Sequence, residues 1–326
     1  MEQWDIFNEF RECTGKTWIR GEKMIAGDYH QVVHIWIMNK KGEFLIQQRQ
    51  PWKVGWPNMW DCAAAGSVLI GETSEMGAIR EVKEEIGIEL QMEHAEVLFT
   101  LKFSRGFDDH WLVKQEIDVE HLKLQYEEVA DARWATAYEI NELVESGDFI
   151  PYHILEPLFE MSKSSISIRK ASLSDAAELF EIQKKVFQPL YEKYQDHDTS
   201  PVFQSFDRFT ERLQTGDFFK IYEKGLLVGS VHVYPKSPGF MRLHIINILE
   251  EFQGKGIAQE VMTRIEGMYP QAIKWELDTI KQEQRNCYLY EKMGYENSGD
   301  EWKVNEQMTL IHYTKTNNLN HLKPIL

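Results

Sequence analysis

GSVLIGETSEMGAIREVKEEIGI, residues 66–88, is the stretch that decides the fold of the first half of this chain. Thr73 before the run and Gly87 after it are the usual start and stop of a helix. Ile79, Val82 and Ile86 fall at i, i+3 and i+7, which predicts one buried stripe. Glu81, Glu84 and Glu85 are then expected on the far side of that stripe, as one patch of three carboxylates. Like charges at i, i+4 cost a helix a few tenths of a kcal/mol, and Glu81 with Glu85 is such a pair. Arg80 can reach Glu84, but one cation does not neutralise three anions. A solvated charged face is the ordinary fate of such a helix; a hard divalent cation, which prefers clustered oxygen ligands, is the alternative.

The spacing around the helix decides between them. Gly66, Glu72, Arg80, Glu81, Val82, Glu84, Glu85, Gly87 and Ile88 fit G-x5-E-x7-R-E-U-x-E-E-x-G-U, with U aliphatic, at every position. Such a match arises by accident in roughly one in ten million chains of this length. It resembles the Nudix box, and the resemblance extends over about residues 20–155. It implies an α/β/α sandwich holding Mg²⁺ or Mn²⁺ against a diphosphate, with Glu81, Glu84, Glu85 and the carbonyl of Gly66 as metal ligands. Glu81, Glu84 and Glu72 would form the catalytic set, with Glu72 and Arg80 bracing the loop–helix–loop. A later-loop carboxylate, Glu127 or Glu128, is a further candidate for the base.

Upstream, HQVVHIWIM and EFLIQQ flank Asn39–Gly42 and read as a hairpin. The stretches RGEKMIAGDYHQVVHIWI and GWPNMWDCAAAG resemble the Nudix branch near isopentenyl-diphosphate isomerase. That isomerase carries a cysteine beside the glycine opening its box, where this chain has Ala65, and its box is eroded where this one is complete. Hydrolysis is therefore expected over isomerisation. Cys62 is expected as a buried apolar side chain, His30 and His34 as structural donors on one strand face, and Trp56 and Trp60 in the core. Downstream, EVLFTLKF, WLVKQEIDV and ARWATA read as strands and AYEINELVESG as a helix.

A short polar segment, Met161–Ser165, separates this half from a second pattern, giving domains over 1–161 and 166–326. The second half reads as a strand (ISIRKA), a helix over Leu173–Tyr191, a polar loop and a strand pair (FFKIYE, LLVGSVHVY). Then come a strand (RLHIINI), a helix over Gly256–Met268, a strand (IKWELDTI) and a helix over Asn286–Met293. Gln253-Gly254-Lys255-Gly256-Ile257-Ala258, between a strand and a helix N-terminus, is a phosphate cradle in form. About 30 residues on stands Asn286-Cys287-Tyr288-Leu289-Tyr290-Glu291-Lys292-Met293-Gly294-Tyr295. The pair fits Q/R-x-x-G-x-G/A and N-x3-Y-E-K-x-G-F/Y and resembles the acyl-CoA site of GNAT N-acetyltransferases, over about residues 166–312. The resemblance implies a mixed-sheet α/β domain using acetyl-CoA as acyl donor to an amine. Residues Gln253 to Ala258 would hold the pyrophosphate, Asn286 the pantetheine arm, and Tyr290 would protonate the leaving thiolate. His244, Glu250 and Glu251 are candidates for the amine's base. Cys287 is not expected to form a covalent intermediate.

The bulk numbers agree with a folded two-domain α/β enzyme. A chain of 326 residues with 43% hydrophobic residues suits two cores, and no internal repeat is visible. A net charge of −16 disfavours nucleic-acid and membrane partners, leaving small molecules. Cys13, Cys62 and Cys287 lie outside any metal-ligand spacing and read as plain thiols of a cytoplasmic protein. Specificity is expected in loops, here Trp52–Trp60, Phe103–His110 and Gln195–Thr210.

Overall fold

The protein is described from a computed structural model, which covers residues 2–317. The chain divides into two compact units, the first built mainly from residues up to Ser164 and the second mainly from residues after it.

In the first unit the strands are β1 (Gln3–Phe7), β2 (Cys13–Ile19), β3 (His30–Met38), β4 (Phe44–Arg49), β5 (Trp60–Asp61) and β6 (Ala64–Ser67). They are followed by α1 (Ser74–Glu85), β7 (Ala95–Phe103), β8 (Gly106–Lys114), β9 (Val129–Ala135), α2 (Ala137–Ser146) and α3 (Leu155–Ser162). The main sheet runs β5-β4-β3-β8-β7, with β6 added on β3 and β9 on β4, while β1 and β2 form a ribbon of their own. β3 alternates strictly. Val33, Ile35 and Ile37 pack against α1, and Trp36 joins Phe44, Leu112, Ile140 and Leu158 on the side of α2 and α3. Helices on both faces of one mixed sheet make the expected sandwich.

Helix α1 is rotated from the expected orientation. Its buried face is Ala78, Val82, Glu85 and Ile86, whereas Ile79 is 37% exposed. Ala78, Val82 and Ile86 repeat at i, i+4 and i+8, and Gly77 lets the helix approach Val68, where an added Cβ would stand 3.1 Å from Cγ2. At about 100° per residue, Ile79 lies about 60° to one side of Val82, and Glu85, Glu81 and Glu84 lie about 60°, 100° and 160° to the other. The three carboxylates therefore run from the edge of the buried face, at Glu85, round to the far side, at Glu84, graded from buried to exposed. Two expected loops also contain regular structure: Phe103–His110 is mostly the β7–β8 hairpin, and Gln195–Thr210 runs into a helix beginning at Phe206.

The second unit comprises β10 (Ile166–Lys170), α4 (Ala176–Tyr194), α5 (Phe206–Thr215), β11 (Asp217–Glu223), β12 (Leu226–Ser237) and β13 (Phe240–Ile248). Then follow α6 (Ile257–Met268), β14 (Lys274–Ile280), α7 (Gln284–Lys292), β15 (Glu296–Lys303) and β16 (Thr309–Thr316). The sheet order is β10-β11-β12-β13-β14-β16-β15. All neighbours are antiparallel except β13 and β14, which pair in parallel over three positions only, Phe240–Arg242 with Lys274–Glu276. Past Arg242 the two strands part, and the remainder of β13 pairs with β12 alone. Just beyond the parting, Val233 faces Leu243 and His232 faces Ile245, so His244 is the extra residue of a bulge. Bulges of this kind re-aim side chains beside functional sites.

Candidate functional sites

Gly66, Glu81, Glu84 and Glu85 line one cavity of about 260 Å³, together with Arg80, Arg49, Lys53 and Glu128. Arg80 organises it: Nε and Nη2 donate to Glu72 at 2.8 and 3.0 Å, Nη2 also to the carbonyl of Ser67 at 2.8 Å, and Nη1 to Glu81 at 2.7 Å and Glu84 at 3.1 Å. Glu72 accepts in turn from the Leu69 N–H at 2.9 Å. Burial would raise its carboxyl, but the bonds from Arg80 and Leu69 hold it below the ordinary value. Glu72 and Arg80 thus clamp the loop to the helix, and Glu72, also expected in the catalytic set, is absent from the cavity wall.

Gly66 has a steric reason to be glycine. A Cβ there would lie 2.1 Å from Glu81 Oε1, so the carboxylate occupies the space a side chain would need. Burial raises the pKa of Glu81 against the pull of Arg80. Glu85, 6% exposed, accepts from Gln47 at 2.8 Å, and its pKa is pushed up to about 8 by burial, Glu81 and Asp61. Clustered carboxylates that resist ionisation together are what a divalent cation relieves, and the all-oxygen donor set suits Mg²⁺ or Mn²⁺. Of the two loop carboxylates, Glu128 lines the cavity and pairs with Lys53, whereas Glu127 is exposed and outside it.

A second polar group stands where the sequence offered only structural histidines. His34 Nδ1 lies 2.7 Å from Asp108, and the His34 ring stacks on His110 at 5.0 Å. Burial opposes charge on His34, but Asp108 outweighs it and raises the pKa above the ordinary value. His34, Asp108 and His110 each offer a ligand atom, all within 4.8 Å of one another. The indole of Trp36, a donor only, points at His110 Nδ1 at 3.3 Å, which leaves the imidazole proton on Nε2, facing Asp108 at 3.2 Å. Within the trio His34 is hydrogen-bonded to Asp108, while His110 Nε2 faces the same carboxylate without a hydrogen bond of its own. The trio was not legible as such, because Asp108 and His110 lie 74 and more residues from His34 in sequence and meet it only through the β3–β8 pairing. His30 instead stacks on Trp4 at 4.3 Å. Cys62 is fully buried, Trp60 packs against the core, and Trp56, expected inside, is 49% exposed.

In the second unit, Gly254 and Gly256 have φ of +75° and +83°, conformations glycine adopts freely. They turn the chain into α6, whose first N–H groups have no intrahelical acceptor. Gln253 to Gly256 are exposed, and Ile257 anchors the helix in the core. Arg285, which the sequence did not single out, lies close by, its Nη2 3.2 Å from where a Cβ of Gly254 would be. On α7, Asn286 is exposed in the first turn and Tyr290 is buried one turn later. Burial lifts the Tyr290 phenol to about 12, so it keeps its proton at neutral pH. Cys287 is buried and its thiol is likewise raised. Glu250 and Glu251 form a surface turn, Glu251 paired with Lys185 at 3.3 Å. His244 Nε2 lies 2.9 Å from Arg212, and since a guanidinium only donates, that nitrogen accepts and the proton sits on Nδ1.

A carboxylate helix on one face of a mixed sheet in the first unit and a parted sheet beside a glycine turn in the second mark two separate candidate sites. Comparison with known proteins agrees. The NUDIX domain model matches residues 28–156 and the acetyltransferase (GNAT) domain model residues 188–317. An uncharacterized Nudix hydrolase of Listeria monocytogenes is 50% identical over 165 residues, 51% of this chain and 98% of its own length. Nudix hydrolase 3 of Arabidopsis thaliana is 33% identical over 47% of this chain and 22% of its own. An isopentenyl-diphosphate Delta-isomerase of an Enterobacter species is 27% identical over 40% of this chain and 75% of its own. The chain belongs to the Nudix hydrolase family and carries a GNAT acetyltransferase domain after its Nudix domain. It is an enzyme with hydrolase and N-acetyltransferase units, and none of its described helices is long and apolar enough to cross a membrane.

Proposed function

We propose that the first domain, residues 1–161, hydrolyses a diphosphate-linked small molecule with Mg²⁺ or Mn²⁺, and that the second, 166–326, transfers acetyl from acetyl-CoA to an amine. Residues 318–326 of that second span lie outside the described residues. The carrying observation is the cavity in which Glu81 and Glu85, both with raised pKa, meet Glu84 and the bare backbone of Gly66. A divalent cation held there neutralises diphosphate oxygens and lowers the pKa of the attacking water. Arg80 keeps Glu81 and Glu84 in place, Arg49 and Lys53 on the same wall supply positive charge for the remaining anionic oxygens, and Glu128, ion-paired with Lys53, is the candidate base for the water's proton.

In the second domain the turn Gln253–Ala258 holds the CoA pyrophosphate on backbone N–H groups, Asn286 orients the pantetheine arm, and Tyr290 protonates the departing thiolate. The thiols and the absence of ligand-spaced cysteines fit a cytoplasmic setting.

The test is phosphate or nucleotide release from a panel of diphosphates with Mg²⁺, with and without acetyl-CoA. Glu84→Gln, an exposed position where folding is not at stake, should lower release by about 100-fold or more. Double-bond isomerisation of a prenyl diphosphate without hydrolysis would instead favour the reading drawn from the isomerase relatives, against which Ala65 counts. Acetyl-CoA binding without transfer to any amine would make the second domain a sensor.

A further inference from the structure

We infer that the amine acceptor of the second domain carries a carboxylate, which Arg212 binds; the inference rests on the acetyl-transfer reading of that domain. Arg212, on α5, is partly buried and held by three neutral groups: His244 Nε2 at 2.9 Å, Gln183 Oε1 at 3.0 Å and Gln204 Oε1. Among the described residues it has no carboxylate partner. Its Nε is buried without a hydrogen bond. Gln183 is fully buried, so this is a constructed cradle rather than a surface side chain caught in passing. A guanidinium kept from water without a counter-ion is costly, and a carboxylate brought to it supplies the missing charge through the Nη1 hydrogen that His244 leaves free. Burial and Arg208 lower its pKa to about 10, which still leaves it charged at neutral pH.

The cradle stands where an acceptor has to arrive. His244 is the bulge residue of β13, two positions past Arg242, the last residue paired with β14. The parting strands there are the opening that the acetyl-transfer reading gives to the acyl chain. Beside it, His232 is 2% exposed with both ring nitrogens unpartnered, and its ring lies 5.3 Å from that of His244. Burial holds both histidines neutral, at about 3 and about 4, so neither competes with an incoming anion by demanding one for itself. His244, its Nε2 occupied by Arg212, is a positioning residue for the guanidinium.

The experiment follows thiol release from acetyl-CoA by the full chain with paired acceptors: amino acids and short peptides bearing a free carboxylate, each against its amide. Acids should be acetylated about 10- to 100-fold more efficiently in kcat/KM than their amides, through KM. Arg212→Gln should bring acids down to the level of amides, Arg212→Lys should keep part of the preference, and thermal midpoints check that both variants fold. If a variant does not fold, the acid–amide comparison in the unaltered chain stands as the test. Equal rates for acids and amides, or a preference that survives Arg212→Gln, overturn the carboxylate site while leaving acetyl transfer standing. No thiol release with any acceptor removes the transfer reading and this inference together.

Discussion

The two halves of this chain build their sites in opposite ways. In the Nudix domain, the three clustered carboxylates, Glu72 and Arg80 come from one loop–helix stretch of 23 residues, Gly66 to Ile88, and the arrangement on α1 is set by helical angle. In the GNAT domain, the pieces come from α5, β13, the turn before α6, and α7, and no single element holds more than a fragment. A site on one helix is written in spacing; a site at the mouth of a parted sheet is assembled by strand register. The carboxylates themselves come from one helix, while Gln47, Arg49, Lys53 and Glu128 reach their cavity from elsewhere in the chain.

Three changes sharpen that contrast. Tyr290→Phe should cost acetyl transfer about 100-fold, the usual worth of a general acid, while phosphate release by the first half stays unchanged. A parallel fall in both activities would show that the halves are coupled, and assays of each on one preparation would detect it. Next, Gly66→Ala should push the Glu81 carboxylate out of its place and cost about 1–3 kcal/mol, read as a lower thermal midpoint together with weaker Mg²⁺ dependence. An unchanged midpoint would show that Glu81 swings away freely. The third change concerns acid. The folded pKa of His232, about 3, lies below that of an unfolded histidine, so the folded state binds fewer protons between the two values. Its contribution is complete above pH ~6.5 and is lost as pH falls towards 3, at about 1 kcal/mol for each pH unit over that window. His232→Leu should flatten that dependence in denaturant titrations at pH 4 to 7.

How much was legible can be judged from particular residues. The helix α1 was, because Thr73 caps it through Met76 and Gly87 ends it with positive φ, and both signals are local. Its orientation was not: Ile79 scored as well as Ala78 by period, but only the sheet behind it and the closeness permitted at Gly77 determine which one is buried. Phe103–His110, expected as a loop, belongs mostly to the β7–β8 hairpin, whose strand β8 carries the polar run Asp108, Asp109 and His110. Their charges are answered by His34, Arg11 and Trp36 on distant segments, which a linear reading does not supply.

By itself the sequence determined the two domain types, the three carboxylates on one helix, the glycine turn and the tyrosine one helical turn beyond Asn286, because each is carried by short-range spacing. Tertiary structure alone decided that Glu85 is the buried member of its trio and that His34 meets Asp108. It also decided that His244 stands on a bulge beside Arg212, which has no carboxylate partner among the described residues. These depend on which strands lie side by side, and burial and charge pairing follow from neighbours in space rather than neighbours in the chain.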